Sequence, residues 1–564
     1  MISINGINWK MNNIPERLIL KHKQNFKISY LLSKIFLDKN YTDEEIYNSI
    51  SKNFQNKIEY KNKDFEYASY LLIENLKKKK KILIFGDYDV DGYSSTYLLY
   101  DYFKNQNIDC NYYIPDRLID GYGPNKLLLK KLIKNNNYGL IIFVDCGTNS
   151  INEIKYLEYK GLSVIVIDHH QIHDHKKFKK SIIINPLKNS LFKDSNLFCA
   201  TSLVYFFIKY LIKIFKTKKK IDLNKYLFFV AMATICDQMP LRRLNKSIVI
   251  NGLQNFSWNN FINLKKLIKV NHKLRTSDIS FTLGPILNSA SRLGYPNLPF
   301  RFLIENKNTI INKTIKKLLM LNEKRKKIQN KNIDLLNINE VENKNKIIFK
   351  FKENINEGLL GIIAAKFVEF YNKPSFILTN SGNVIKCSSR SINGYDIGNI
   401  FYLAAKKNII IRGGGHSMAG GCTLKKDRLN DFKNFLNLYY IKKFNIFENI
   451  KFYISEQKLD SLLKFAKQDL QYLEPLGNNN TSPLFFLRSN KIIKIKIIND
   501  LHLQLIIKNK NNKSCVCFAF HSIGTKLGHL LMNYKNEIDL IVQINNKFIQ
   551  KNSDFNLIIK DAIA

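Results

Sequence analysis

Three aspartates alternate in the segment GDYDVDG, at Asp87, Asp89 and Asp91. They follow the apolar segment KILIF, and Gly92 permits the turn into a predicted helix. Single aspartates are common in loops and helix caps, but three carboxylates this close repel one another unless a cation lies between them. A calcium loop of the EF-hand type needs a glutamate at its twelfth position, where this chain has Leu98, and this argues against calcium.

Two imidazoles and three more carboxylates follow later apolar segments, at Asp145, Asp168, His169, His170 and Asp237. Any one of them alone is more often a helix cap or a solvated group. Together they match the ligands of manganese or magnesium, whereas a structural zinc site would need more sulfur. Two such ions about 3.5–4 Å apart can activate water and stabilise the leaving oxygen in phosphoryl hydrolysis. The sequence has no Walker loop and no G-x-G-x-x-G segment, so nucleotide-driven chemistry is not indicated.

The elements that position these residues are predicted from apolar strands that alternate with helical segments from Lys81 onward. This alternation is typical of a parallel α/β sheet, in which the loops at the carboxyl ends of the strands build the site. Because three successive strands end in acids, we expect these acids to meet at one edge. Residues 200–340 are predicted to be mostly helical. Heptad-like spacing from Thr314 to Val341 indicates either a long connecting helix or a helix packed in a core.

Two further regions are predicted after this helix. A second α/β segment starts near Lys346, and the alternating strands of residues 450–564 indicate a small β-barrel. Aromatic side chains such as Phe485, Phe518 and Phe520 either stack bases there or fill the barrel core. The predicted fold class is therefore a multi-domain α/β protein with a C-terminal, OB-like β-barrel.

The composition favours a nucleic-acid partner without requiring one. The 564 residues include 89 Lys+Arg and 46 Asp+Glu, and the resulting net charge of +43 attracts polyanions. AT-rich codons would also enrich lysine at solvated positions, and we give that explanation equal weight. The eight cysteines are scattered, no apolar run reaches the ~18–20 residues that span a bilayer, and the N-terminus does not resemble a signal peptide. We therefore expect a cytoplasmic protein with free thiols and no membrane contact.

The motifs DYDVDG, VDCG, DHH and DQMPL, in this order, resemble those of the DHH phosphoesterase superfamily. The resemblance implies a site for two ions, Mn²⁺ or Mg²⁺. It implies that Asp89 binds one ion, that Asp91 binds the other and that Asp145 bridges them. It also implies that His169 and Asp237 complete the ligands of the second ion.

Other residues have supporting roles in this resemblance. Asp87 and Asp168 are implied to orient the ligands, and His170 to contact the scissile phosphate. The implied catalytic set is Asp89, Asp91, Asp145, His169, His170 and Asp237. Some members have a histidine at the position of Phe85, so one ion is expected to have fewer protein ligands in this chain.

The second α/β segment resembles the DHH-associated domain. Its segment GGGHSMAGG contains Gly414, Gly415 and His416. Glycines let the backbone approach a phosphate, and the imidazole can donate a hydrogen bond to it. A glycine loop with a capping histidine is the ordinary explanation of such a segment in isolation, but after a DHH core the motif is specific.

Two further motifs imply phosphate contacts. KCSSRS resembles a phosphate-binding motif of the superfamily, with Arg390 as a bidentate donor beside Ser391. LGPILNSASRLG resembles a motif of the exonuclease branch, in which Asn288 and Arg292 match and Ile286 replaces an arginine. The implied substrate-binding set is Asn288, Arg292, Arg390, Ser391, Gly414, Gly415 and His416.

The resemblance implies a single-strand-specific 5′→3′ DNA exonuclease that acts in recombination and repair by a two-metal mechanism. It implies single-stranded DNA, a single-strand-binding protein and a RecQ-type helicase as partners of a monomer. The alternatives are an oligoribonuclease or cyclic-dinucleotide phosphodiesterase of the same superfamily, and a catalytically weakened nucleic-acid-binding protein. The last is motivated by Phe85, Ile286 and Asn356, which replace typical polar residues, and the intact carboxylate set argues against it.

The predicted domains follow the order of these motifs. They are an N-terminal extension (1–45), a DHH core (46–305), a connecting helix (306–344), a DHH-associated domain (345–445) and an OB-like nucleic-acid-binding domain (446–564).

Overall fold

The computed structural model describes residues 1–51, 62–134, 136–172, 178–189, 191–215, 221–258, 261–268, 274–336, 345–392, 394–443, 450–534, 536–545 and 555–563. The chain forms two compact units, each assembled from separate stretches. The first unit comprises Met1–Gln55, Pro240–Lys246 and Ile446–Ala564, and the second comprises Asn56–Met239 and Ser247–Asn445.

The described residues contain 18 strands, numbered in chain order: β1 (Asn8–Met11), β2 (Lys81–Phe85), β3 (Cys110–Tyr113), β4 (Tyr138–Val144), β5 (Ser163–Ile167), β6 (Ser181–Ile184), β7 (Ile348–Phe351), β8 (Ser375–Ser381), β9 (Val384–Arg390), β10 (Arg412–His416), β11 (Ala419–Lys425), β12 (Ile450–Tyr453), β13 (Ser455–Gln457), β14 (Leu484–Ile498), β15 (His502–Lys508), β16 (Ser514–Ala519), β17 (Ile538–Asn545) and β18 (Asn556–Ile563). Their α-helices are Glu16–Phe26, Tyr30–Asp38, Asp43–Ser51, Lys63–Lys77, Val90–Asn105, Lys126–Ile133, Ile151–Tyr159, Ala200–Phe215, Leu223–Cys236, Arg243–Gln254, Ile262–Leu267, Thr276–Asp278, Gly284–Arg292, Asn297–Ile304, Asn308–Leu335, Leu360–Tyr371, Ile397–Lys406, Leu429–Lys443, Leu459–Gln468, Leu470–Leu473 and Lys526–Asn533. None of the helices in the described ranges is both long and apolar enough to cross a bilayer.

The first sheet of the second unit is parallel and has the strand order β3-β2-β4-β5-β6. Its central strands β4 and β5 are apolar and buried over almost their whole length. Such burial is expected when helices cover both faces of a parallel sheet. The strand order reverses between β2 and β4, and the crevice at the carboxyl ends of such a strand pair is where these sheets bind ligands.

The second sheet of this unit has the order β10-β11-β9-β8-β7, with only the β7–β8 pair parallel. The 28-residue helix Asn308–Leu335 precedes it in the chain. This helix buries Ile311, Ile315, Leu318 and Leu321, a spacing of three and four residues that presents one apolar stripe. A long helix is therefore present where the heptad-like spacing predicted one, and residues 337–341 of that prediction lie outside the described residues.

The first unit contains a closed barrel. Its strands follow the order β14-β15-β16-β18-β17, and an additional pairing of β14 with β17 closes the ring. The α/β fold class with a C-terminal barrel is therefore as predicted. Phe485 is fully buried and Phe518 is nearly so, whereas Phe520 is 41% exposed. Of these three aromatic side chains, only Phe520 presents much surface for stacking.

The N-terminal residues belong to the same unit as the barrel. Strand β1 pairs in parallel with β12, and Trp9 donates its indole N–H to the buried Asp561 at 2.8 Å. Ile35 and Phe36 are fully buried in one apolar core with residues of β14, β15 and β17. The stretch interpreted from the sequence as an N-terminal extension thus contributes side chains to the core of the C-terminal region.

Arg242 makes an enclosed charged contact in this unit that no sequence pattern predicted. Its guanidinium donates to both carboxylate oxygens of Glu45 at 2.8 Å. It also donates to the carbonyls of Lys39 at 2.9 Å and Asn40 at 3.1 Å, and it lies 4.0 Å from the centroid of the Tyr41 ring. Because the guanidinium is held from several sides, its removal leaves the Glu45 carboxylate buried without its partner.

We expect Arg242→Ala to lower the free energy of unfolding of the first unit by about 3 kcal/mol, because the Glu45 side chain is only 6% exposed. Urea unfolding, monitored by hydrogen exchange of the backbone amides of β15, measures this change in free energy. The control is Arg428→Ala in the second unit, whose partner Asp431 is half exposed, and it should leave the midpoint of the first unit unchanged. Equal midpoints for Arg242→Ala and the wild type would contradict this assignment.

Candidate active site

The predicted acids lie at the crevice where the order of the parallel sheet reverses. Asp87 and Asp89 follow β2, Asp145 follows β4, and Asp168 and His169 follow β5. The alternation of strands and helices in the sequence predicted that these side chains lie close together, because the carboxyl ends of parallel strands lie at one edge of the sheet.

The side chains form three overlapping groups whose potential ligand atoms lie within 4.8 Å of one another. The groups are Asp87, Asp89 and Asp145; Asp91, His169 and Asp237; and Asp145, His169 and His170. Asp145 and His169 each belong to two groups, and Asp145 is the residue that links the Asp87–Asp89 group to the histidines. Asp87, interpreted from the sequence as an orienting residue, lies in the first group together with Asp89.

Two of the aspartates are fixed by helix N-termini. Asp89 caps the helix after β2 and accepts the backbone N–H groups of Asp91 at 3.0 Å and Gly92 at 3.1 Å. Asp91 accepts the N–H groups of Ala200 and Thr201, both at 2.8 Å, and the Thr201 hydroxyl at 2.5 Å. These bonds fix the orientation of both carboxylates at the helix N-termini.

His169 faces three carboxylates. Its Nε2 lies 3.3 Å from Asp145 Oδ1, 3.4 Å from Asp237 Oδ2 and 3.7 Å from Asp91 Oδ2. Burial and the neighbouring His170 lower the pKa of His169 to about 4. The imidazole is therefore neutral at physiological pH, which is the form that binds a metal ion.

The carboxylates are electrostatically unfavourable as they stand. Burial and the neighbouring acids raise the pKa of Asp87, Asp145 and Asp237 well above the ordinary value. Two buried oxygens, Asp87 Oδ1 and Asp145 Oδ1, have no hydrogen-bond partner among the described residues. Buried unpaired oxygens and clustered negative charge are both costly, and a divalent cation compensates both. The oxygen-rich set with one imidazole fits manganese or magnesium.

His170 is held as a cation by Asp168. Asp168 Oδ1 accepts His170 Nδ1–H at 2.7 Å, and its Oδ2 accepts the backbone N–H of Thr148 at 3.0 Å. Burial opposes charging of His170, but the ion pair and hydrogen bond with Asp168 raise its pKa to about 9. Burial likewise opposes ionisation of Asp168, yet His170 holds the pKa of Asp168 below its usual value. A cationic imidazole beside the acid cluster is suited to contact a phosphate.

Tyr122 is a site residue that sequence reasoning missed. Its hydroxyl lies 3.2 Å from His170 Nε2 and donates to the carbonyl of Asp145 at 3.4 Å. Its ring meets the rings of His170 and Tyr88 edge-on, with centroids 5.7 Å and 6.3 Å apart. The only signal in the sequence was the segment GYG, which resembles an ordinary loop.

The glycine-rich segment brings His416 to the histidine pair. Its ring lies nearly parallel to those of His169 and His170, with centroids 6.1 Å and 5.5 Å away. Gly415 has a φ of +150°, and a Cβ there would lie 2.3 Å from the carbonyl oxygen of Ala419. The close turn therefore requires glycine, and it places an imidazole of the DHH-associated domain at the acid cluster.

Three other predicted residues have contacts of a different kind. Gly414 pairs with Gly421 across β10 and β11. The Ser391 hydroxyl donates to the carbonyl of Tyr395, so it is engaged within its own domain. Asn288 Oδ1 is buried without a hydrogen-bond partner among the described residues, which leaves it available to a ligand.

Arginines form the cationic side of the site. Arg292 and Arg390 were predicted, and the structure adds Arg117 and Arg325. Burial, followed by repulsion from Arg117, Arg390 and Arg325, lowers the pKa of Arg292 to about 9. Burial and Arg117 lower the pKa of Arg390 to about 10. Arg292 donates to the carbonyl of Gly358 at 2.8 Å. Clustered guanidinium groups of this kind are suited to bind phosphate groups.

The positions that depart from the family pattern have structural roles. Phe85 is fully buried and packs edge-on against Phe143, with ring centroids 5.4 Å apart. Ile286 is 4% exposed. The Asn356 side chain accepts the N–H of Gly358 at 2.9 Å and thereby caps a helical turn. None of the three departures removes a member of the carboxylate set.

Comparisons with known proteins match three successive parts of the chain. The model of the DHH family N-terminal domain matches residues 81–234. The model of the DHHA1 domain matches residues 343–442, and that of the RecJ OB domain matches residues 456–561.

Curated relatives are similar over a large part of the chain. The single-stranded-DNA-specific exonuclease RecJ of Bacillus subtilis (strain 168) is 27% identical over 478 residues, which are 81% of this chain and 58% of that protein. RecJ of Haemophilus influenzae is 27% identical over 66% of this chain, and RecJ of Thermus thermophilus is 24% identical over 75% of it. The matches span 68% and 61% of those two proteins.

Solved structures establish the fold. The crystal structure of RecJ from Thermus thermophilus in complex with Mn²⁺ matches with a TM-score of 0.79 and 20% identity, over 99% of this chain and 79% of that one. The complex of RecJ from the same source with Mg²⁺ matches with a TM-score of 0.75 and 19% identity, over 98% of this chain and 78% of that one.

Proposed function

We propose that this chain, which belongs to the DHH family and has the domain order of RecJ, is a metal-dependent exonuclease that degrades single-stranded DNA in the 5′→3′ direction during recombination and repair. The observation that carries the proposal is the juxtaposition of a buried carboxylate–histidine cluster and an arginine cluster within one unit. The first suits divalent cations, and the second suits phosphates. The direction of degradation and the role in repair rest on the similarity to RecJ.

The acid cluster suits two ions of manganese or magnesium, the metals present in the similar crystal structures of RecJ. We assign one ion to Asp89 with support from Asp87, the other to Asp91, His169 and Asp237, and we assign Asp145 to both. When bound, such ions lower the pKa of water and stabilise charge on the attacking and leaving oxygens.

The chain's own side chains bind and orient the substrate. The His170 imidazolium, held by Asp168, neutralises charge on the scissile phosphate. Arg292 and Arg390 hold phosphates with bidentate hydrogen bonds. His416 approaches the same phosphate from the DHH-associated domain, since its ring lies beside those of His169 and His170.

The deciding experiment is cleavage of end-labelled single-stranded DNA, blunt duplex DNA and RNA with manganese, magnesium or a chelator. We expect mononucleotides to be released from the 5′ end of single-stranded DNA, little cleavage of the duplex, and no cleavage with chelator. Preference for short oligoribonucleotides or cyclic dinucleotides would instead support the small-substrate phosphodiesterase. Binding of single strands without any cleavage would support the weakened binding protein.

The arginine cluster gives a prediction for binding. Arg390→Gln should weaken binding of single-stranded DNA to a similar degree for all sequences, and it should lower the salt dependence of the logarithm of the affinity by about one. Fluorescence anisotropy of labelled oligonucleotides in chelator, at several salt concentrations, measures both effects. Arg428→Gln, at an exposed position of the same domain, is the matched control. An unchanged salt slope for Arg390→Gln would exclude a phosphate contact.

From the same resemblance, we propose that the protein is a monomeric, cytoplasmic enzyme. We also propose that it acts together with a single-strand-binding protein and a RecQ-type helicase. Analytical ultracentrifugation of the full chain tests the monomer. Cleavage of duplexes with single-stranded ends, with and without the helicase, tests the functional partnership, which predicts faster degradation when both are present.

A further inference from the structure

The hairpin of β14 and β15 extends beyond the closed part of the barrel. Strand β14 pairs with β17 only as far as Asn490, and from Lys491 to Ile498 it pairs with β15. Beyond Asn490, the edge of β14 opposite to β15 has no pairing strand among the described residues. This stretch therefore presents backbone N–H and C=O groups to which another strand can bind.

One face of this overhanging strand is apolar and exposed. Ile495 and Ile497 lie opposite Leu505 and Leu503, which are fully buried members of the barrel core. Cross-strand partners share a face of the sheet, so both isoleucines point to the core side. Nevertheless, Ile495 is 36% exposed and Ile497 is 51% exposed. Ile495 and Ile497 therefore lie on the core side of the sheet but beyond the residues that would bury them.

The opposite face of the same strand is cationic. Lys494 and Lys496 alternate with the isoleucines and are exposed. Lys491 lies directly opposite Lys508, which adds positive charge at the base of the overhang. Lysines on an open edge disfavour pairing between two copies of the same strand, because like charges would meet. The charge of this edge therefore favours pairing with an acidic strand and disfavours pairing with a second copy of β14.

We propose that the edge Lys491–Ile498 binds an extended, acidic segment of a partner protein by strand addition. In this arrangement, apolar side chains at alternate positions of the segment cover Ile495 and Ile497, while its acidic side chains meet Lys494 and Lys496. Isoleucines offer no flat ring on which a base can stack, and the open backbone edge suits a peptide, so a protein strand is favoured over a nucleic acid. The proposal stands independently of the nuclease activity.

The test uses the full chain and a fluorescein-labelled peptide of alternating glutamate and valine, with a peptide of the same composition in separate blocks as its control. We expect the alternating peptide to bind at least about tenfold more tightly, and to protect the amides of residues 491–498 from hydrogen exchange. The double substitution Lys494→Glu with Lys496→Glu should weaken binding by about tenfold, whereas Lys458→Glu with Lys464→Glu, elsewhere in the unit, should not.

A second variant keeps the proposal testable if charge reversal impairs folding. Ile495→Thr with Ile497→Thr retains two residues favoured in strands, and it should weaken binding about fivefold by removing the apolar face. Equal binding of the two peptides, or binding without protection of residues 491–498, would overturn the proposal. Oligothymidylate that protects this edge when the alternating peptide does not would overturn it in favour of a nucleic-acid contact.

Discussion

Replacing Asp145 with asparagine is expected to lower the rate of single-strand hydrolysis at least about 1,000-fold while leaving single-strand binding near wild type. The reason is geometric, because Asp145 belongs to two of the three ligand groups, and its Oδ1 is buried without a hydrogen-bond partner among the described residues. Single-turnover cleavage with manganese measures the rate. Asp109→Asn, which changes an exposed aspartate that pairs with Lys81, is the matched control and should retain activity.

Thermal unfolding gives this substitution a second readout that does not depend on activity. Burial and the surrounding carboxylates raise the pKa of Asp145, so its ionised form destabilises the metal-free fold at neutral pH. Asparagine removes that charge, and the metal-free variant should therefore melt at a higher temperature than the wild type. Manganese should raise the melting temperature of the wild type, but much less that of the variant. Wild-type activity, or an equal stabilisation by manganese, would refute the shared-ligand assignment.

Asp168→Asn is the second substitution with a large expected effect. Asp168 accepts the backbone N–H of His169 at 2.7 Å as well as the ring N–H of His170 at 2.7 Å. Asparagine keeps one acceptor oxygen, but its NH2 group would face either the N–H of Thr148 or the N–H groups of His169 and His170. Its neutral amide would also no longer stabilise the imidazolium of His170. We expect kcat to fall about 100-fold with little change in KM, because the contact orients a group that acts on the reacting phosphate.

A double-mutant cycle separates this positioning role from a structural one. If Asp168 acts through His170, then His170→Ala combined with Asp168→Asn should be little worse than either change alone. Each variant is compared by kcat, KM and melting temperature under one set of conditions. Additive losses in the cycle would show that Asp168 acts independently of His170, for example by supporting Thr148, whose N–H it accepts at 3.0 Å.

The acid cluster could be predicted from the sequence because a simple rule governs it. Parallel strands end at one edge, so acids placed after β2, β4 and β5 had to meet. The long helix and the barrel followed from spacing that repeats over many residues. The pattern that signals each of these features lies within one continuous stretch of sequence.

Features that depend on tertiary packing were missed. Arg117 and Arg325 join Arg292 and Arg390 only through folding, and in a chain with 89 Lys+Arg nothing local distinguishes them. Tyr122 reaches His170 from a loop with an ordinary sequence. The place of residues 1–51 in the barrel unit depends on the pairing of β1 with β12, which are more than 400 residues apart.

That pairing has a consequence for synthesis of the chain. The ribosome releases the N-terminal helices about 400 residues before the strands that complete their core, a delay of roughly 20–80 s at 5–20 residues per second. During that interval Leu32, Ile35 and Phe36 have no native partner from the barrel. The second unit can already fold, because most of its sequence lies between the N-terminal and C-terminal stretches of the first unit. Nascent chains and fragments that end before β14 therefore expose an apolar surface to holdase chaperones and to aggregation. A fragment designed to carry the second unit alone should lack both the C-terminal strands and the first 51 residues.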